Sequence, residues 1–171
     1  CCFCLLVCFL SFNLFAETLY KAADAKTMEK IKLSDSYIAQ KKYLTAYQSL
    51  GNDLSNEFII AKLNEICINY FVQSIGHRMF ALKDLAPNED LIELRQSKGT
   101  FTMIGFDPVK AIDTYYEKKS KSLILEKSLG DYYFYVSRCY GDNWFENYDT
   151  LLEKAAEHYS FVYKNKFYTT Q

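Results

Sequence analysis

Three observations predict an all-α fold for this chain. Only 6 Gly and 2 Pro stand among 171 residues, too few to punctuate the many turns of a sheet protein. Apolar residues recur at intervals of three and four through most of the length, the period of one helical face. Capping residues mark helix starts, most plainly Asp107 followed by Pro108, with Asp as N-cap and Pro as the first helical residue. Half of the residues are apolar and 17 % are aromatic, so such helices carry enough apolar surface for a buried core. A length of 171 residues suits one domain rather than two.

Taken in order, residues 1–16, CCFCLLVCFLSFNLFA, hold no charge, and Glu17 is the first charged side chain. That is the profile of the apolar region of a secretory signal peptide, with Ala16 at the cleavage point. The chain starts at Cys and lacks a positive leading region, so the segment reads as truncated at its start. Residues 17–171 then form a single helical domain, which reads as cut short at its carboxyl end because Gln171 follows no stop signal. The expected location is the periplasm or cell surface. An uncleaved segment would act as an anchor, although 16 uncharged residues fall short of the ~20 needed to cross a bilayer. Four of the six Cys (Cys1, Cys2, Cys4 and Cys8) lie in this apolar run. Cys1 and Cys4 have C-x-x-C spacing but only Phe, Leu and Val around them, where a metal site needs polar support. Cys67 and Cys139 fall in apolar helical contexts that suit small core residues, and an oxidising compartment leaves a bridge between them open.

Residues 18–28 are compatible with a helix, and from about Glu29 an apolar stripe runs through Ile31, Leu33, Tyr37 and Ile38. A short turn leads into KKYLTAYQSL, which Gly51 and Asn52 stop. Asp53 to Ser55 offer caps for a long helix whose Ile59, Leu63, Ile66, Cys67, Tyr70 and Phe71 share a face and whose run extends toward Leu85, with Gly76 as the place where it would end or bend. Pro87 restarts a short polar helix, NEDLIELRQ. The stretch SKGTFTMIGF, 97–106, has no helical spacing and reads as one irregular loop or hairpin near residues 97–107. Its Phe101, Ile104 and Phe106 either tuck back onto the helices or form an apolar lip. Asp107 and Pro108 open the helix VKAIDTYYEKKSKS, and two more helices follow, roughly 124–140 and 149–163.

The small and large residues of these helices keep a further spacing. Leu33, Ser34 and Tyr37 precede Ala46 and Leu50; Leu129, Gly130 and Tyr133 precede Ala155 and Tyr159; Ala111 and Tyr115 form a partial unit between them. The pattern resembles the tetratricopeptide repeat, a helix-turn-helix unit in which a small residue on one helix admits a large residue of its partner. The resemblance covers about half of the chain and implies antiparallel helix pairs stacked as a short solenoid of that type. Lys30 and Glu126 stand where the family often has Trp, no Pro closes a unit, and the stretch YGDNWFENYDTLL separates the two halves of the last one, so a divergent member is expected.

Little in the chain carries chemistry. Neither His77 nor His158 belongs to an H-E-x-x-H motif, and no P-loop, G-x-G-x-x-G or G-x-S-x-G occurs. Each His reads as a surface or capping residue, and Lys118, Lys119 and Lys121 as a solvated helix end. No catalytic residue, metal ligand or cofactor is assigned, and the chain reads as non-catalytic. With 20 Lys and Arg against 21 Asp and Glu it has no basic excess for a nucleic acid, and membrane contact is expected only through the targeting segment. The remaining signal is aromatic density in GDYYFYVSRCYGDNWF. On a helix, Tyr133, Val136 and Tyr140 share one stripe, and Tyr132, Tyr135 and Cys139 another. One reading buries this helix between neighbours. The other makes Tyr132, Tyr133, Tyr135, Arg138 and Trp144 the lining and rim of a binding groove. The repeat resemblance implies another protein or a peptide as partner. The alternative is a small organic solute, held by an exported binding component of a transport system.

Overall fold

Asp24 caps the helix that begins at Ala25 by accepting hydrogen bonds from the Thr27 amide and hydroxyl, at 2.9 and 2.6 Å. The computed structural model describes residues 20, 22–70, 79–89 and 101–166, and the expected signal segment, His77 and most of the polar segment 88–96 lie outside them. Helix α1 is Ala25–Ala39 and buries Thr27, Ile31 and Ser34, spaced four and three apart. Leu33 lies about 200° around the helix from Ile31 and is 47 % exposed, so Ser34 rather than Leu33 makes the contact with the next helix. Lys41, in the left-handed conformation at φ 59°, turns the chain into α2, Tyr43–Leu50. Ser34 Oγ donates to the Ala46 carbonyl at 3.1 Å, and Ala46 and Leu50 are fully buried. A larger side chain at that contact has nowhere to go. Ala46→Arg is expected to cost on the order of 1–3 kcal/mol, measured as a shift of the urea midpoint; an unchanged midpoint would remove Ala46 from the core.

Gly51, at φ 75°, ends α2 as the sequence suggests. Asp53 does not cap the following helix; it closes a local turn onto Ser55. Asn56 provides the cap, accepting from the Phe58 and Ile59 amides at 3.0 and 3.2 Å. Helix α3, Glu57–Tyr70, buries Ile59, Ile60, Ala61, Lys62, Leu63, Asn64, Ile66 and Cys67, and so is apolar on more than one face. Helices before and after it in the chain pack against it.

The run expected to continue as helix toward Leu85 does not do so, because Phe80–Leu82 forms strand β1. A three-residue apolar run fits a buried strand as well as a helix turn, and pairing decides. Strand β2, Thr102–Ile104, lies antiparallel to it with Phe80 opposite Ile104 and Leu82 opposite Thr102. The irregular segment near 97–107 thus supplies one strand, with its partner elsewhere in the chain. Its Ile104 and Phe106 are buried in the core. Just past β1, the Asp84 carboxylate accepts from the Thr45 amide at 3.0 Å and so satisfies the start of α2, which lacks a cap of its own.

Asp107 caps α4, Pro108–Tyr116, through the Lys110 amide, with Pro108 in the first turn. Ser122 caps α5, Leu123–Tyr140, through the Leu125 amide. A 3₁₀ turn, Gly141–Asn143, leads to α6, Tyr148–Lys166. Among the described residues the fold is therefore all-α apart from one two-stranded sheet, and α1 with α2 and α5 with α6 are close-packed pairs. Helix α3 lies against α2, α4 and α5. Cys67 is buried and Cys139 exposed, both as free thiols, and burial pushes the Cys67 thiol well up. No helix among the described residues is long and apolar enough to cross a membrane.

Candidate functional site

Helix α5 has two working faces. Its Ser128 turns to α3, where Asn64 Nδ2 donates to the Ser128 carbonyl and hydroxyl at 2.8 and 2.7 Å. Glu126, Gly130 and Tyr133, spaced four and three apart, turn to α6. Gly130 leaves room for the Tyr159 ring: a Cβ there would lie 2.7 Å from Tyr159 Cε1. Tyr159 in turn donates to Asp131 Oδ1 at 2.9 Å, and Lys127 pairs with the other oxygen at 2.5 Å. Burial holds the Asp131 carboxyl above its usual range even so, against the pull of Lys127.

One residue earlier on α6, His158 Nδ1 donates to Glu126 Oε2 at 2.9 Å while its ring stacks on Tyr133, with 5.6 Å between centroids. Glu126 is 1 % exposed. It occupies a place where the resembled repeat often carries Trp, and a buried carboxylate survives only with partners. Lys121 provides a second, with Nζ 3.3 Å from Oε1. Tyr116, at the end of α4, adds a buried phenol whose ionisation is pushed far up, mainly by burial and then by the Glu126 charge. A carboxylate that orients an imidazole is an arrangement also used in proton transfer.

A second polar cluster joins α1 to α3. Lys62 sits inside the apolar run of α3 and pairs with Asp35 and Glu65, each at 2.6 Å. These two carboxylates hold its ammonium charged against the cost of burial. Tyr20 donates to Glu65 at 3.1 Å, and burial raises its phenol first, with Glu65 adding to the effect.

The five residues of the expected groove differ in exposure. Tyr132 and Tyr133 are buried in the core, Tyr135 is half-buried, Arg138 is exposed and Trp144 is half-buried. What the structure brings together instead is a ladder of rings at the end of α5. Tyr135 meets Tyr140 edge-on at 6.2 Å, Tyr140 stacks on Trp144 at 4.7 Å, and Trp144 meets Phe145 edge-on at 5.1 Å. Phe145 is 54 % exposed. The turn beneath it is held on both sides, because Asp142 accepts from the Tyr148 amide and Asn147 from the Thr150 amide, each at 2.8 Å.

Sequence reading missed Glu126 with His158, which stand 32 residues apart on different helices. His158 is neither a cap nor a free surface group. The signal in the sequence was a charged residue, Glu126, within the apolar run LILEKSL. Sequence reading missed Lys62 as well, whose signal is a charge within the apolar run of α3 and whose partners Asp35 and Glu65 nothing in that run reveals. Among the described residues no group of three or more His, Cys, Asp or Glu could hold a metal ion. No family model, curated protein or solved structure matches the chain, which leaves its own geometry as the guide to function.

Proposed function

We propose that this chain is a non-catalytic interaction protein of the cell envelope that grips another polypeptide with the aromatic corner at the α5–α6 turn. The observation that carries the reading is the ring ladder from half-buried Tyr135 to exposed Phe145 on a turn capped from both sides. Rigid aromatic groups give large contact area with little side-chain entropy to lose, which is why they dominate binding hot spots.

The close contacts within the helix pairs support a divergent tetratricopeptide-like stacking. Ser34 against Ala46 and Gly130 against Tyr159 are both small-to-large or small-to-backbone approaches of the kind that spacing requires. Export rests on the apolar run 1–16.

The test is native mass spectrometry of the complete protein purified gently from its host envelope, beside the Phe145→Ala variant. A bound polypeptide is expected on the parent protein. The variant should lose it by at least tenfold, a hot-spot effect, while its unfolding free energy stays within about 0.5 kcal/mol, as for an exposed side chain. Equal occupancy in both proteins would remove the corner from the interface.

A further inference from the structure

The Glu126 carboxylate is met from outside by a side chain that need not be there. Lys121 belongs to the connection between α4 and α5 and its side chain is 55 % exposed, yet its ammonium stands 3.3 Å from an oxygen of a carboxylate whose own side chain is 1 % exposed. The same ammonium lies 5.3 Å from the centre of the Phe161 ring. His158, one helical turn before Phe161 on α6, and the buried Tyr116 hydroxyl complete the surroundings. A buried carboxylate beside aromatic faces is the chemistry that recognises an ammonium group.

We infer that the Glu126 carboxylate, with the Phe161 ring on the far side of the ammonium it holds, is a binding site for the terminal ammonium of a small linear alkylamine, with the Lys121 side chain as its resident occupant. Several features of the geometry argue for this. Lys121 contributes only a flexible stem and a charge, and half of that stem is in water, so it can swing out without disturbing the core. Its hold is of the weak kind that half-exposed ion pairs have. Glu126 cannot move away with it, being fixed in α5 and bonded to His158, so an incoming cation finds the carboxylate in place. A linear alkylammonium copies the four-carbon stem and charge that Lys121 places there.

The tether sets the competition. A side chain attached next to its site acts at an effective concentration of roughly millimolar, and a free amine must displace it. Removing the Lys121 ammonium should therefore expose the site to external ligand. The inference does not depend on the aromatic corner, and either can fail alone.

The experiment is a calorimetric titration of the full chain, the Lys121→Ala variant and the Lys121→Ala, Glu126→Gln double variant with n-butylammonium chloride, and with n-butanol as the uncharged probe of similar shape. The expected result is saturable binding of n-butylammonium to Lys121→Ala at least about tenfold tighter than to the parent chain, no binding of n-butanol, and loss of binding in the double variant. Should the double variant fail to fold, the contrast between n-butylammonium and n-butanol on Lys121→Ala decides alone. Absence of n-butylammonium binding to a folded Lys121→Ala, or n-butanol binding as tightly, would overturn the inference.

Discussion

Replacing Gly130 with Val should lower the stability of the fold by about 1–3 kcal/mol, the range of overpacking in a filled interior. The position is mid-helix, where a Gly ordinarily costs about 1 kcal/mol relative to Ala, so its presence needs a reason. The reason is Tyr159. A Cβ on residue 130 would sit 2.7 Å from Cε1 and 2.8 Å from Cδ1 of that ring. The ring is tied at its far end by the bond from its hydroxyl to Asp131, at 2.9 Å, and cannot simply turn away. Gly130→Ala should cost less than Gly130→Val, because helix propensity offsets part of the clash. Denaturant unfolding of Gly130→Val, Tyr159→Ala and the double variant makes the argument quantitative: the double variant should be more stable than the sum of the single losses implies. Additive losses would mean that the two residues do not meet.

Replacing His158 with Leu is the second large effect expected, a loss of about 3 kcal/mol near neutral pH, because it leaves the Glu126 charge buried with one partner fewer. The remaining partner, Lys121, is the half-exposed one. Replacing Glu126 and His158 together by Leu should cost less than His158→Leu alone, since apolar groups of similar size need no compensating charge. Thermal or urea unfolding of the three proteins checks this order. A double variant less stable than the single one would mean that the pair stabilises the α5–α6 contact outright.

The sequence announced its helices better than its site, for a physical reason. Caps and periodic faces are local, so Asp107 with Pro108, the stop at Gly51 and the stripe of Ile59, Leu63 and Ile66 could be read within a few residues, and each takes its expected place. Spacing also singled out Ala46 and Gly130 as close-approach positions. Reading failed where a residue's partner is distant. Phe80–Leu82 became a strand because Thr102–Ile104 lies beside it, and nothing within the run itself shows that. Tyr132 and Tyr133 read as well for a groove as for a core, and neighbouring helices bury them. The aromatic corner was half visible: Trp144 was picked out, while the path from Tyr140 through Trp144 to Phe145 depends on how the 3₁₀ turn at Gly141–Asn143 folds back. Glu126 and His158 meet only because α5 and α6 pack face to face.

The proposed function requires the α5–α6 corner to be the surface that touches another polypeptide. The direct measurement places a photo-crosslinking phenylalanine analogue at Phe145 of the complete protein in its host, and separately at Leu33, an exposed apolar position on α1. Irradiation should give a discrete heavier species from position 145, containing a second polypeptide, and none from position 33. No adduct from position 145, or the same adduct from both positions, would contradict it.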